Sequence, residues 1–200
     1  MNVAEAMDSA GVEYVTLGCV NWPQEFPYKP NVQVRVAHNN SSLLLDYYVS
    51  EETVRAVADS DNGKVWEDSC VEFFFKDEDS DNYFNIECNC AGTLLIAEGE
   101  NRNSRHHLPL EELRRVSRYS SLGREPFDEK NAPENWHLSL VIPKDIVGIR
   151  NGNLGMKRYF MNIYKCGDAL KTPHFVSLYP IATPSPDFHR PEFFGEVSFE

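Results

Sequence analysis

Apolar residues recur at every second position in six separate stretches of the chain: Val32/Val34/Val36, Leu43/Leu45/Tyr47/Val49, Val71/Phe73/Phe75, Phe84/Ile86/Cys88, Trp136/Leu138/Leu140/Ile142 and Tyr159/Met161/Ile163. A period of two sends alternate side chains to opposite faces of a pleated strand. Residues 13–20, 93–97, 175–179 and 194–199 read as further short strands. About ten short strands separated by turn-rich breaks predict two stacked antiparallel sheets. The expected fold is all-β, an antiparallel β-sandwich of the jelly-roll or immunoglobulin-like kind.

Only three short stretches read as helical: residues 51–58, residues 110–116 after Pro109, and residues 144–147 after Pro143, where proline suits a first turn. No strand–helix–strand rhythm appears, which argues against a parallel α/β sheet and its nucleotide-binding crevice. Residues 99–135 read as a long irregular region, either a functional loop or an excursion from the fold. There is no internal repeat, and Thr183-Pro184-Ser185-Pro186 is too short for a domain linker, so residues 1–200 are expected to form a single domain.

A net charge of -12 with no Lys/Arg block disfavours phosphate backbones and anionic membrane surfaces, so no nucleic-acid partner is expected. No apolar run approaches the roughly 18 residues of a membrane span, and no membrane insertion is expected. Residues 1–18 lack the basic start, apolar stretch and cleavage site of a secretory signal. A cytoplasmic location is expected for the sequence as it stands, and an extracytoplasmic one if a signal has been removed. The five cysteines are an odd count, and Cys70, Cys88 and Cys166 fall inside predicted strands, which suits buried free thiols.

Alternation also sorts the polar residues. Glu72 shares a strand face with Cys70 and Phe74; on the next strand Tyr83, Asn85, Glu87 and Asn89 share a face, and further on Phe160, Asn162 and Tyr164 do the same. If these strands are neighbours, Glu72, Asn85, Glu87, Asn162 and Tyr164 line one patch. Such a patch suits a sugar, whose hydroxyls need paired donors and acceptors and whose C–H face packs on an aromatic plane. An ordinary solvent-facing sheet has the same pattern.

The stretch Val65-Trp66-Glu67-Asp68-Ser69-Cys70-Val71-Glu72-Phe73-Phe74-Phe75 resembles the W-x-D-x-x-V-E signature of family 9 carbohydrate-binding modules, and Tyr83-Phe84-Asn85 and Asn89-Cys90-Ala91-Gly92 continue it. Asn21-Trp22-Pro23, the stretch from Phe160 to Cys166, Pro173-His174-Phe175 and the stretch from Pro186 to Gly195 are similar to a stand-alone bacterial branch of that family. The resemblance implies a DOMON-like sandwich, non-catalytic, that holds the end of an oligosaccharide or polysaccharide between two tryptophans and carries structural calcium. Trp66 and Glu72 match the family's first stacking tryptophan and its hydroxyl-binding glutamate. Two positions depart from the pattern. Phe175 and Tyr179 stand where the second tryptophan is expected, and Glu87 stands where the family has a sugar-binding arginine.

The acids of Asp77-Glu78-Asp79-Ser80-Asp81 alternate like the start of an EF-hand, but Asn82 replaces the required glycine and Cys88 the closing glutamate. A looser calcium site and a solvated acidic turn both remain open. Cys88-x-Cys90 is too closely spaced for a usual zinc pair. His106, His107, His174 and His189 fall in no recognised metal or catalytic frame, although Pro186 and Pro191 would stiffen the loop that carries His189 and Arg190. The expected function is non-catalytic sugar binding by Trp66, Glu72, Asn85, Glu87, Asn162, Tyr164, Phe175, His189 and Arg190. The alternatives are a glycoside-processing enzyme using Glu72 and Glu87 as paired carboxylates, and an interaction module for a protein partner that has lost sugar binding.

Overall fold

The structure, a computed structural model, describes residues 2–39, 41–133, 135–149 and 157–199. A short helix α1 (Val3–Ser9) precedes β1 (Val15–Thr16), β2 (Cys19–Val20), β3 (Asn31–His38), β4 (Ser42–Ser50), β5 (Thr53–Ala56), β6 (Cys70–Asp77), β7 (Tyr83–Asn89), β8 (Leu94–Gly99) and β9 (His106–His107). Helix α2 (Leu110–Leu113) leads to β10 (Ser117–Ser120), β11 (Phe127–Asn131), β12 (Trp136–Pro143), β13 (Tyr159–Cys166), β14 (Phe175–Ser177) and β15 (Gly195–Val197).

One sheet has five strands in the order β1-β3-β4-β12-β10. The other has eight, in the order β2-β14-β13-β6-β7-β8-β9 with β15 alongside the start of β13, and β5 and β11 form a separate ribbon. Every pairing is antiparallel. The main core lies between the sheets, where Val34, Leu45, Tyr47 and Leu140 of the smaller meet Val71, Phe73, Ile86 and Ile163 of the larger. The six alternating stretches all lie in strands. Their in-facing residues are apolar because burying such a side chain contributes roughly 1.5–3 kcal/mol.

Three local expectations need correction. Residues 51–58 are not helical: Val54 and Ala56 are buried as alternate residues of β5, which pairs with β11. Residues 99–135 are not irregular throughout, since they contain β9, α2, β10 and β11, and β10 closes one edge of the smaller sheet. Residues 13–20 do not form one strand; they divide into β1 and β2, which join different sheets. Helix α1 carries a signal that was there to read: Asn2 caps its N-terminus, accepting from the Glu5 amide at 2.9 Å while Glu5 reaches back to Asn2. All five cysteines are free, as expected. No helix among the described residues is long and apolar enough to cross a membrane.

The two outer faces are covered differently. Helix α1 lies over the smaller sheet, fastened by Arg35 to Asp8 and to the carbonyl of Ala4. On the larger sheet, Trp22, Ile181, Phe188 and Phe194 lie over Phe74, Tyr83 and Tyr164 and build a second apolar cluster. The face that alternation left open to solvent is therefore mostly buried.

Candidate functional site

Trp66 sits on a 3-10 turn, Val65–Glu67, just before β6, and it is only partly buried. Asp68 fixes this turn. Its carboxylate is fully buried and accepts from the Val57 amide at 2.9 Å, the Ala58 amide at 3.0 Å, Arg55 Nη1 at 2.6 Å and Asn89 Nδ2 at 2.9 Å. Asn89 in turn accepts from the amides of Ala91 and Thr93 and so shapes the turn from β7 to β8. Asp68 of the signature stretch and Asn89 of its continuation thus serve as a frame for the turn that carries Trp66, which packs against β6 and β7.

Beside Trp66 a cleft of about 80 Å³ lies between the sheet and the covering segment, lined by Trp66, Glu72, Glu87, Arg102, Arg105, Cys166, Asp168, Phe175, Pro186, Asp187, Phe188 and His189. Glu72 and Glu87 stand directly opposite each other on β6 and β7, a register that places the Cβ atoms about 4.5–5.5 Å apart. Both are buried. Loss of solvent raises the pKa of each, and for Glu72 the facing Glu87 charge adds to the rise. Arg105 and an Asn85 hydrogen bond at 2.8 Å pull Glu87 partly back. The pair is thus disposed to share a proton.

Arg102 and Arg105 come from the connection between β8 and β9. Gly99 makes this approach feasible, because a Cβ there would lie 2.8 Å from the Arg105 amide nitrogen. Arg105 contacts both ring nitrogens of His189, and Tyr83 Oη lies 2.8 Å from His189 Nδ1. Burial first, then Arg105 and Arg102, lower the His189 pKa to about 2, so its ring is neutral. These contacts tie the covering segment to the arginine loop.

Trp66, Glu72, Glu87, Phe175 and His189 of the expected site residues meet in this cleft. The other four lie elsewhere. Asn85 is buried behind Glu87, and Tyr164 donates to the Phe188 carbonyl at 3.1 Å beneath a stacked Phe188 ring. Asn162 bonds the Tyr179 backbone, and Arg190 pairs with Glu192 at 2.8 Å. Sequence reading missed Arg102, Arg105, Cys166, Asp168, Asp187 and Phe188. Of these, the arginines carried a signal: two cations in a connection otherwise rich in polar residues.

The histidines and the acidic turn also find their places. His174 is buried beside Lys165 at 2.7 Å, and burial followed by the Lys165 charge lowers its pKa to about 2. His106 and His107 are exposed on β9. Lys157 pairs with Asp77 at 3.2 Å and Asp79 at 2.8 Å, and among the described residues no three acids of that turn bring carboxylate oxygens within 4.8 Å of one another.

The model of carbohydrate-binding family 9 matches residues 1–199. A carbohydrate-binding protein candidate from Bacteroides uniformis ATCC 8492 is 48% identical and superposes with a TM-score of 0.94, covering 99% of this chain and 91% of that one. A family 9 module from Caldicellulosiruptor kristjanssonii in complex with cellotriose matches at 9% identity and a TM-score of 0.59, over 96% of this chain and 84% of that one. The same organism's module with glucose matches at 11% identity and a TM-score of 0.54, covering 96% and 85%. At these identities the two modules share the fold. No curated protein matches the chain.

Proposed function

Because the chain belongs to carbohydrate-binding family 9, we propose that the cleft beside Trp66 holds the terminal ring of a sugar without transforming it. The observation that carries this reading is the convergence, in one solvent-open cleft, of a half-exposed aromatic plane with buried carboxyls and two guanidinium groups. Trp66 stacks on the C–H face of the ring. Glu72 accepts from hydroxyls, and Arg102 and Arg105 donate to ring and hydroxyl oxygens, taking the part that Glu87 cannot. Phe175 supplies a second aromatic wall in place of a second tryptophan.

Calorimetric titration with a sugar panel that starts from glucose and cellotriose tests the reading. Sugar–aromatic contacts contribute about 1 kcal/mol beyond area burial, so millimolar to micromolar binding is expected. Glu72→Gln should weaken it at least tenfold. Unchanged affinity in Glu72→Gln and in Arg105→Ala would overturn the assignment.

A second reading draws on the Glu72–Glu87 register, since retaining glycosidases hold their carboxyls about 5–5.5 Å apart. Those enzymes flank the scissile bond with their acids, whereas here both carboxyls rise from one sheet face. Turnover of chromogenic glycosides that is lost in Glu72→Gln would establish this alternative. A glycan panel without hits, together with a co-purifying protein, would point to an interaction module instead.

A further inference from the structure

Cys70 and Cys166 stand directly opposite each other on β6 and β13, with side chains on the outer face of the larger sheet. Glu72 follows Cys70 on the same face. The two sulfurs and a Glu72 oxygen lie within 4.8 Å of one another, and among the described residues this is the one group of three or more Cys, His, Asp or Glu side chains so arranged. Cys166 Sγ donates to Glu72 Oε1 at 3.1 Å, which places a proton between two donor atoms. From this geometry we propose that Cys70, Cys166 and Glu72 form a site for one thiophilic divalent cation of the zinc type, at the floor of the cleft.

The dimensions fit such an ion. Tetrahedral zinc with Zn–S bonds of about 2.3 Å sets its sulfurs about 3.8 Å apart, so two sulfurs no more than 4.8 Å apart reach that spacing with a shift of at most about 1 Å. Two thiolates with a carboxylate select zinc, cadmium or cobalt over calcium and magnesium. The charges also balance, because a divalent cation enters as two thiol protons leave and the buried site gains no net charge. Glu72 and Cys166 line the cleft, which gives the ion an entry path and leaves a fourth position open to water or a ligand oxygen.

Two other buried thiols serve as controls. Cys88 and Cys90 belong to the cluster between the sheets, outside any group of converging donors.

The test uses the full chain, reduced and freed of metal, titrated with Co²⁺. The site predicts a thiolate-to-cobalt charge-transfer band that saturates at one ion per chain, with release of about two protons. Zinc should abolish the band and calcium should leave it unchanged. Cys166→Ser and Cys70→Ser should both lose it, while Cys88→Ser keeps it. If Cys70→Ser does not fold, Cys166→Ser decides the matter. Absence of the band in the reduced wild-type chain, or its survival in Cys166→Ser, would overturn the proposal. So would a Cys70–Cys166 disulfide that persists under reducing conditions, read as a loss of two hydrogen masses.

Discussion

Asp46 and Glu72 are both buried carboxylates on the outward faces of their sheets, yet their surroundings are opposite. Asp46, on β4, lies 2.8 Å from Tyr14 Oη, 2.9 Å from Arg35 Nε, 2.7 Å from Ser139 Oγ and 2.8 Å from His137 Nε2. Glu72, on β6, has a weak thiol donor and another carboxyl across the ladder. Burial pushes the Asp46 pKa up, but hydrogen bonds from His137, Ser139 and Tyr14 outweigh it and hold the pKa at about 2. Glu72 is pushed the other way. A carboxylate surrounded by donors fastens the structure, while one facing its like at a cleft floor is left to be satisfied by a ligand.

Neutralising each group without changing its shape should have opposite consequences at the two sites. Asp46→Asn should cost about 3 kcal/mol of unfolding free energy, because Arg35 then loses a buried counter-charge. Denaturant titration measures this. A cost below 1 kcal/mol would mean that the network around Asp46 is slack.

Acid unfolding probes the Asp46 network a second way. The folded Asp46 pKa of about 2 lies below its ordinary value of 3.8, so as the pH falls the unfolded chain takes up this proton first. The resulting stability, about 2 kcal/mol, is fully present above pH ~4 and is lost as the pH approaches ~2. Asp46→Asn should lack that part of the slope. An identical acid profile in the variant would assign the loss to other groups.

The smallest effect belongs to Glu72. Glu72→Gln removes a like-charge neighbour from Glu87 and should leave stability within about 1 kcal/mol of wild type, or raise it. A loss as large as that of Asp46→Asn would show Glu72 to be a fastening group, and the contrast would fail.

The strands were legible because the core between the sheets imposes one apolar residue in two on every long strand. β5 was misread because it is only four residues long and its partner, β11, lies far along the chain, so nothing local announces the pairing. The signature stretch pointed to Trp66 and Glu72, and both line the cleft. The structural work of Asp68 in that stretch, and of Asn89 in its continuation, stayed hidden because it follows from contacts with residues 55–58 that no spacing reveals. Glu87 in place of an arginine was visible at once. That Arg102 and Arg105 reach the cleft from another connection was not, because their approach depends on how closely the chain passes Gly99. Nor could alternation tell a sheet face open to water from one roofed by residues 179–194, since the roof is itself a distant and irregular stretch.

A sugar held in the cleft beside Trp66 would lie against that indole and should be visible in tryptophan fluorescence. Of the three tryptophans, Trp22 and Trp136 are buried and hydrogen-bonded through Nε1, to the Thr183 carbonyl and to Glu51, while Trp66 is half-buried at the cleft wall. A sugar that binds in calorimetry should change the emission saturably, with the same dissociation constant, and Trp66→Ala should lose both signals while its circular dichroism stays unchanged. Binding retained at wild-type strength in Trp66→Ala would place the sugar elsewhere on the protein.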